Sequence, residues 1–330
     1  MSAPRIALVG AGSMGRNHAR VISANPDSDF SVIVDPFEEV GRATADLHQT
    51  SWVADLDGIG DVDGVVVAAS TEYHYDIVKE LIGRGLPILV EKPVCPSLEQ
   101  TKELIALAEK SSVPIMCGFL ERYNPAIIQA RRMMGEPLYI RAERHSPYVP
   151  RIKTGVAWDL LVHDVDLISH MYGSVPPANV NVEVGQFHPS SLPGAEDVID
   201  VSLRFGRGGL ASASASRIGQ RKVRSMVVQS LDTMIEVDLL RRGVTLYRHT
   251  HITDPDDAGA GYRQSTEMEV PEISGDEPLA AQFKRFLGLI DGTADVDAER
   301  LAILPAHEIV ERALAVSRES AADESESAPS

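Results

Sequence analysis

Short, mainly apolar runs punctuate the first 120 residues of the chain at residues 5–9, 31–34, 64–69, 88–90 and 113–118. Each is too short for a buried helix and carries no alternation, the pattern of a strand covered on both faces. Helical repeats separate them, at residues 73–84 and 97–110 among others. Strands alternating with helices of this length predict right-handed crossovers and a parallel sheet.

Beyond residue 122 the pattern changes. A strand is expected at 138–143, followed by a stiff polar loop, Arg144-His145-Ser146-Pro147-Tyr148-Val149-Pro150-Arg151. A helix from Trp158 has apolar positions at 160, 161, 165, 167, 168 and 171, and sets Asp159 and His163 four apart on one face. From Ala178 the period falls to two: Ile199, Val201, Leu203 and Phe205 alternate with Asp200, Ser202 and Arg204. Ala211, Ala213 and Ala215 alternate with Ser212, Ser214 and Ser216, and segments at 226–229, 235–239 and 244–247 extend the series. This predicts a large antiparallel sheet with one face covered and one open. The small Ala/Ser strand calls for close approach by another surface, such as a partner subunit. Residues 251–276 read as a polar, acidic loop, either a solvated excursion or a cover over the site. Leu279, Phe283, Phe286, Leu287 and Ile290 mark an amphipathic helix, and Ile309, Val310, Ala313 and Leu314 a last one. The expected division is residues 1–122, residues 123–320, and a disordered acidic tail at 321–330.

Length and composition fit this division: 330 residues, 44% apolar and 24% charged, support two domains with separate cores. A formal charge of -17 argues against a general nucleic-acid or anionic-membrane surface, while a local basic pocket stays open. Cys95 and Cys117 offer neither a disulfide framework nor a zinc spacing. Cys95 has no evident base beside it and is read as structural. No metal site is expected. The run Ile6-Ala7-Leu8-Val9 is too short for a signal peptide, and no segment reaches membrane-spanning length, so a cytoplasmic enzyme is expected.

The first strand leads directly into Gly10-Ala11-Gly12-Ser13-Met14-Gly15 and then a helix, the context in which G-x-G-x-x-G binds a dinucleotide. The glycines serve the turn, the approach of a pyrophosphate and helix–strand packing, with helix amides holding the phosphates. Asp35, at the end of the second strand, is the carboxylate expected on the adenosine ribose. Pro36 and Phe37 follow it without an arginine for a 2′-phosphate, so the cofactor read is NAD rather than NADP. Thr71 and His74 end the next strand at the same sheet edge, either as turn residues or as contacts to the nicotinamide half. Lys92 stands at the carboxyl end of the buried strand 88–90, held extended by Pro93.

Four motifs in order, Gly10 to Gly15, Glu91-Lys92-Pro93, Gly118-Phe119-Leu120-Glu121-Arg122-Tyr123-Asn124-Pro125 and Asp159-x-x-x-His163-Asp164, resemble the glucose-fructose oxidoreductase / inositol dehydrogenase (Gfo/Idh/MocA) family over nearly the whole chain. The resemblance implies an α/β fold: an N-terminal Rossmann dinucleotide-binding domain and a C-terminal α+β domain with a large, mainly antiparallel open sheet. It implies hydride transfer from a sugar carbon to NAD. Lys92 and His163 would form the acid–base pair and Asp159 would partner them. Glu91, Lys92 and Arg122 would join the glycine turn, Asp35, Thr71 and His74 around the cofactor. Tyr148 is a candidate substrate contact, and Arg151, with Arg144 or Lys153, reads either as a site for an anionic diphosphate on the substrate or as a surface salt bridge. Asp164 and Asp166 read as packing or capping groups. Residues 12–18, the Glu121–Pro125 form of the third motif, residues 147–151 and the segment Ser216 to Arg224 narrow the likeness to UDP-N-acetylglucosamine 3-dehydrogenases. A dehydrogenase of another sugar or polyol, such as myo-inositol, and a non-catalytic NAD-binding regulator remain alternatives. A homodimer or homotetramer is expected through the open sheet face.

Overall fold

The computed structural model describes residues 3–150, 152, 154–206, 208–252 and 263–327. The chain forms two compact units, Met1–Tyr123 with Asp276–His307, and Asn124–Gly275 with Glu308–Ser330. The first boundary lies one residue from the expected division. The second departs from it: residues 276–307 return to the first unit instead of continuing the second.

The first unit is built from β1 (Arg5–Val9), α1 (Ser13–Ala24), β2 (Asp29–Val34), α2 (Glu38–His48), β3 (Ser51–Val53), β4 (Gly64–Val67), α3 (His74–Gly83), β5 (Ile88–Val90), α4 (Leu98–Lys110) and β6 (Ile115–Cys117). All strand pairs are parallel, in the order β3-β2-β1-β4-β5-β6. The order reverses direction between β1 and β4, and there the carboxyl ends of the strands leave a crevice.

The amphipathic pattern at 279–290 forms a helix that completes this unit's core. Leu279, Phe283, Phe286 and Leu287 pack with Ile22 and Ala19 of α1 against Ile6, Leu8, Ile33, Val66, Leu89 and Met116 of the sheet. The fit is close: a Cβ on Gly64 would lie 2.5 Å from Ile290 Cδ1. At the rim, Arg20 donates to both carboxylate oxygens of Glu277.

The second unit holds α5 (Pro125–Met133), β7 (Tyr139–His145), α6 (Val162–Met171), β8 (Asn179–Gly185), β9 (Val198–Arg204), β10 (Leu210–Ser216), β11 (Val223–Gln229), β12 (Met234–Asp238), β13 (Gly243–Ile252) and β14 (Arg263–Glu269). Its eight-stranded sheet has the order β14-β13-β12-β11-β7-β10-β9-β8. Every pair is antiparallel except β7 with β10. Strand β14 corrects the reading of 251–276 as a loop. Its alternating residues, Arg263 to Glu269, are almost all polar, as suits an exposed edge strand, and so gave no apolar alternation. Residues 253–262 of that stretch lie outside the described residues.

The small-residue strand has a local explanation. Ala211, Ala213 and Ala215 of β10 are buried, and α6 with the turn before it packs on β10. Methyl side chains let that helix approach the sheet closely. The chain continues after β14 through α7 (Pro278–Ile290), α8 (Val296–Leu301) and α9 (Leu304–Ser327). The last helix runs through Ser327, where the acidic tail from Ala321 was expected to be disordered. After Pro305 no glycine or proline interrupts it, and Ala and Glu favour the helix.

Phe283→Ala should lower the free energy of unfolding by about 3–5 kcal/mol, because the ring is fully buried in the core. Leu47→Ala, at a side chain 74% exposed, should change it by no more than about 0.5 kcal/mol. Urea titrations of the two variants check both values.

Candidate active site

The crevice of the first unit is a cleft of about 960 Å³. Its floor and walls come from three strand ends: Gly10, Gly12, Ser13 and Met14 after β1, Asp35 to Phe37 after β2, and Ala68 to Ser70 after β4. The glycines account for its shape. Gly10 has φ +94°, and a Cβ there would meet the Ala69 amide nitrogen at 2.6 Å. A Cβ on Gly15 would meet the Gly10 carbonyl oxygen at 2.0 Å, so strand and helix touch backbone to backbone. Around a Cβ built on Gly12 nothing lies within 4 Å, leaving open space beside the amino end of α1. That space is where the fingerprint brings a pyrophosphate, so this cradle fits a dinucleotide.

Asp35 is buried and already oriented. Its Oδ2 accepts from the Ala11 amide at 2.7 Å and its Oδ1 from the Phe37 amide at 2.9 Å. A carboxylate has further lone pairs for ribose hydroxyls. The Trp52 indole N–H donates to the Asp35 carbonyl at 3.0 Å, and the Arg42 guanidinium lies 4.6 Å from the centre of that indole ring. Arg42 also donates to Glu38 at 2.7 Å. The remaining charges on the cleft are Asp55, Asp57, Asp76 and Glu80, against Arg16 alone. A field of that sign favours ribose hydroxyls over a 2′-phosphate.

Lys92 follows β5 and is half-buried. The loop that carries it is tied on several sides. Glu91 Oε1 accepts from His18 Nε2 at 2.7 Å, and its Oε2 accepts from the Lys92 amide at 3.2 Å. The Glu91 carboxylate, expected on the cofactor, joins α1 to the exit of β5. His74, also expected there, is 1% exposed, with Nδ1 3.0 Å from the Pro93 carbonyl oxygen and Nε2 3.0 Å from that of Ala69. Neither His74 nor Thr71 lines the cleft. The Arg122 guanidinium donates to the Ala302 carbonyl at 2.7 Å and lies over the Phe119 ring. Burial raises the Cys95 thiol to about 12, which leaves it no nucleophilic role at neutral pH.

In the second unit, Asp159 falls in a π-helical turn, Ala157–Leu161, and His163 in the first turn of α6. Extra-wide turns of this kind are frequent at functional sites. The turn is anchored by groups that sequence reasoning missed. Glu196 Oε1 accepts from the Ala157 amide at 2.7 Å, and its backbone carbonyl accepts from Val156 at 3.1 Å. Burial raises the Glu196 carboxyl above its usual range. Arg217 donates to the Thr154 carbonyl and lies 3.7 Å from buried Asp197, which accepts from the Phe187 and His188 amides. Only the adjacency of Glu196 and Asp197 hinted at this; no spacing connects them to residue 157.

Arg144 corrects an expectation. It is 1% exposed and donates from Nε and Nη2 to the two Asp164 oxygens, both at 2.9 Å, so its fork is committed inside the unit. Asp164 thereby has the packing role read for it. Tyr148 stacks on His188 with ring centres 3.6 Å apart and donates to the Ser190 carbonyl. Arg151 and Lys153 lie outside the described residues. Among the described residues no cluster of three or more His, Cys, Asp or Glu side chains is placed to hold a metal ion.

Residues 4–119 match the oxidoreductase family, NAD-binding Rossmann fold, and residues 127–235 match the GFO/IDH/MocA C-terminal domain. Fold and cleft define an NAD-binding oxidoreductase. The chain belongs to the Gfo/Idh/MocA family. A similar relative is the UDP-N-acetylglucosamine 3-dehydrogenase of Acidithiobacillus ferrooxidans, 26% identical over 289 residues that cover 87% of this chain and 88% of the relative. An inositol 2-dehydrogenase of Rhizobium meliloti is 22% identical, covering 88% and 90%. Among solved structures, that of the Acidithiobacillus enzyme superimposes with a TM-score of 0.83 at 25% identity, over 96% of this chain and 100% of that one. A levoglucosan dehydrogenase in complex with NADH, at 17% identity and TM-score 0.81, over 96% and 97%, shares the fold.

Asp35→Ala should reduce the preference for NAD over NADP by about tenfold or more, about 1.4 kcal/mol, read as the ratio of dissociation constants in fluorescence titrations. A second prediction concerns His307, which burial lowers from 6.5 to about 4. Between those values the unfolded chain binds a proton that the folded one refuses, so stability falls as pH drops through that window. The loss should reach about 3 kcal/mol at its acid end. Urea unfolding at neutral and acid pH, with His307→Gln lacking this component, measures it.

Proposed function

We propose that the protein oxidises a sugar hydroxyl with NAD, the first candidate being the 3-hydroxyl of UDP-N-acetylglucosamine or a related nucleotide sugar. The observation that carries this reading is the Lys92 loop at the carboxyl end of β5, next in the sheet to β4, whose end lines the dinucleotide cleft, in a chain that also presents Asp159 on a braced helical turn and His163 in the helix that follows it. Its likeness to the Acidithiobacillus enzyme along most of both lengths supports the choice of sugar.

Alcohol oxidation requires that the hydroxyl proton leave as the C–H bond breaks. When bound, NAD supplies the hydride acceptor at its nicotinamide carbon. On this reading Gly10, Gly12, Ser13, Met14 and Gly15 hold the pyrophosphate and Asp35 holds the ribose. His163 takes the hydroxyl proton, since a neutral imidazole is a base suited to physiological pH. Lys92 stabilises the developing alkoxide with its ammonium, and Asp159 orients the pair. Tyr148, and Arg151 three positions on in the sequence, serve the substrate beyond its reacting carbon. Thr71, His74, Glu91 and Arg122 then act mainly by shaping the edge on which the nicotinamide half rests.

A second reading keeps the chemistry and changes the substrate to a cyclitol such as myo-inositol, favoured by the inositol 2-dehydrogenase likeness over 88% of this chain. In either case we assign the open face of the eight-stranded sheet, where Arg141, Glu143 and His145 alternate with buried residues, to self-association as a dimer or tetramer. Two buried thiols suit a reducing cytoplasm. Among the described residues no helix is long and apolar enough to cross a membrane.

Reduced-nicotinamide absorbance with NAD and a panel of UDP-N-acetylglucosamine, UDP-glucose, glucose 6-phosphate and myo-inositol should rise for the UDP-sugars. A rise with myo-inositol alone would select the second reading. Lys92→Ala should abolish turnover, by at least a hundredfold, while the dissociation constant for NAD stays within about threefold; full turnover in that variant would remove Lys92 from the mechanism.

A further inference from the structure

One peptide unit next to Lys92 is gripped from two sides. The carbonyl oxygen of Pro93 lies 3.0 Å from His74 Nδ1, and the amide N–H of Val94 donates to His307 Nε2 at 3.1 Å. These two groups belong to the same peptide bond. His74 opens α3, while His307 sits in α9, more than two hundred residues away and within the returning segment of the first unit. Both rings are buried, at 1% and 0% exposure.

The chemistry of each grip is defined by its other nitrogen. His307 Nδ1 donates to the Ile303 carbonyl at 2.9 Å, which leaves Nε2 as the acceptor for Val94. Only the neutral ring has that arrangement, and its packing edge-on against Phe119 holds it in place. His74 faces a second carbonyl with Nε2, that of Ala69, at 3.0 Å. A neutral His74 ring donates to one carbonyl at a time, an imidazolium to both. Ala69 lines the dinucleotide cleft, so one imidazole joins the cleft wall to the loop of the lysine.

We propose that His74 and His307 are positioning residues for Lys92: together they fix the orientation of the Pro93–Val94 peptide and with it the backbone from which the ammonium projects. The proposal rests on the reading of Lys92 as the group beside the reacting hydroxyl. Neither histidine touches substrate. A peptide plane held at one end still rotates about the other, so the two contacts act as a unit. Loss of either should release most of the constraint. A rigid loop keeps the lysine within the narrow range of positions that hydride transfer tolerates. NAD, which binds on the cleft side of Ala69, loses little when the far contact is removed.

The test exploits the difference between two amides. In His307→Asn the side-chain nitrogen still reaches the Ile303 carbonyl, but nothing accepts from Val94. In His307→Gln a carbonyl oxygen stands near the place of Nε2 and accepts again. Amide hydrogen exchange of the NAD-free full-length protein is measured at Val94. Exchange at least ten times faster in His307→Asn, and recovery in His307→Gln, is expected. Turnover of UDP-N-acetylglucosamine, or of myo-inositol if that is the sugar oxidised, should show kcat at least tenfold lower in His307→Asn and in His74→Leu. In His307→Asn the dissociation constant for NAD should stay within threefold, and kcat should recover in His307→Gln. The double variant His74→Leu/His307→Asn should be no slower than about the worse single variant.

Wild-type exchange at Val94 in His307→Asn would overturn the proposal, and so would unchanged kcat in variants that exchange faster. A double variant whose losses multiply would show two independent roles instead of one shared peptide. Lys92→Ala is run alongside. If it turns over normally, the reading of Lys92 has failed; if it is dead while the histidine variants are fully active, only the positioning role has failed.

Discussion

Strand β1 and helix α1 meet without side chains between them. The Gly15 backbone lies so near the Gly10 carbonyl that a single added carbon would stand 2.0 Å from the oxygen. Much of the first unit follows from this contact. It brings the amino end of α1 to the strand edge, where its amides and the open space beside Gly12 face the cleft. It also sets α1 low against the sheet, so that His18 reaches Glu91 at the end of β5 and Asp35 reaches the Ala11 amide. Replacing that backbone contact by side-chain packing would lift the helix by a side-chain layer, and both hydrogen bonds would be out of reach.

The second unit solves a related problem with alanine. Helix α6 lies close on its sheet: β10 presents methyl groups to it, while β7 supplies the buried Arg144 that neutralises Asp164. An unpaired carboxylate at that depth would cost several kcal/mol, so the Arg–Asp fork is a condition for the helix to sit there at all. At its other end the helix begins in a π-helical turn capped by Glu196. Asp159 therefore stands on backbone that is braced from the β8–β9 connection, although that connection carries none of the residues assigned to chemistry.

Local signals in the sequence carried most of the architecture. Apolar runs and the glycine turn predict the parallel sheet, and alternation predicts most of the second one, because each signal lies within a dozen residues. What escaped was long-range or polar. The edge strand β14 has no apolar face to announce it. The return of α7 to the first unit is invisible in its own amphipathic pattern, which says that a face is buried without saying against what. Among site residues, Gly10, Gly12 and Asp35 sit where a fingerprint expects them, since the fingerprint encodes their local backbone. His74 and Glu91 were legible as polar groups at the right sheet edge, yet their atoms go to Pro93, Ala69 and His18. His307 gave no signal: its partner Val94 is 213 positions away.

The discontinuity of the first unit has a consequence for how the molecule is made. A nascent chain has all six strands of the parallel sheet once residue 117 has emerged, but the apolar face awaiting Phe283 and Phe286 remains uncovered. All 152 residues from Asn124 to Gly275 must be synthesised before α7 arrives. The last clasp on the lysine loop, from His307, comes later still. A fragment ending near residue 123 lacks part of its own core, and a self-sufficient version would need 276–307 spliced onto it. The first unit is thus completed only after most of the second has been made.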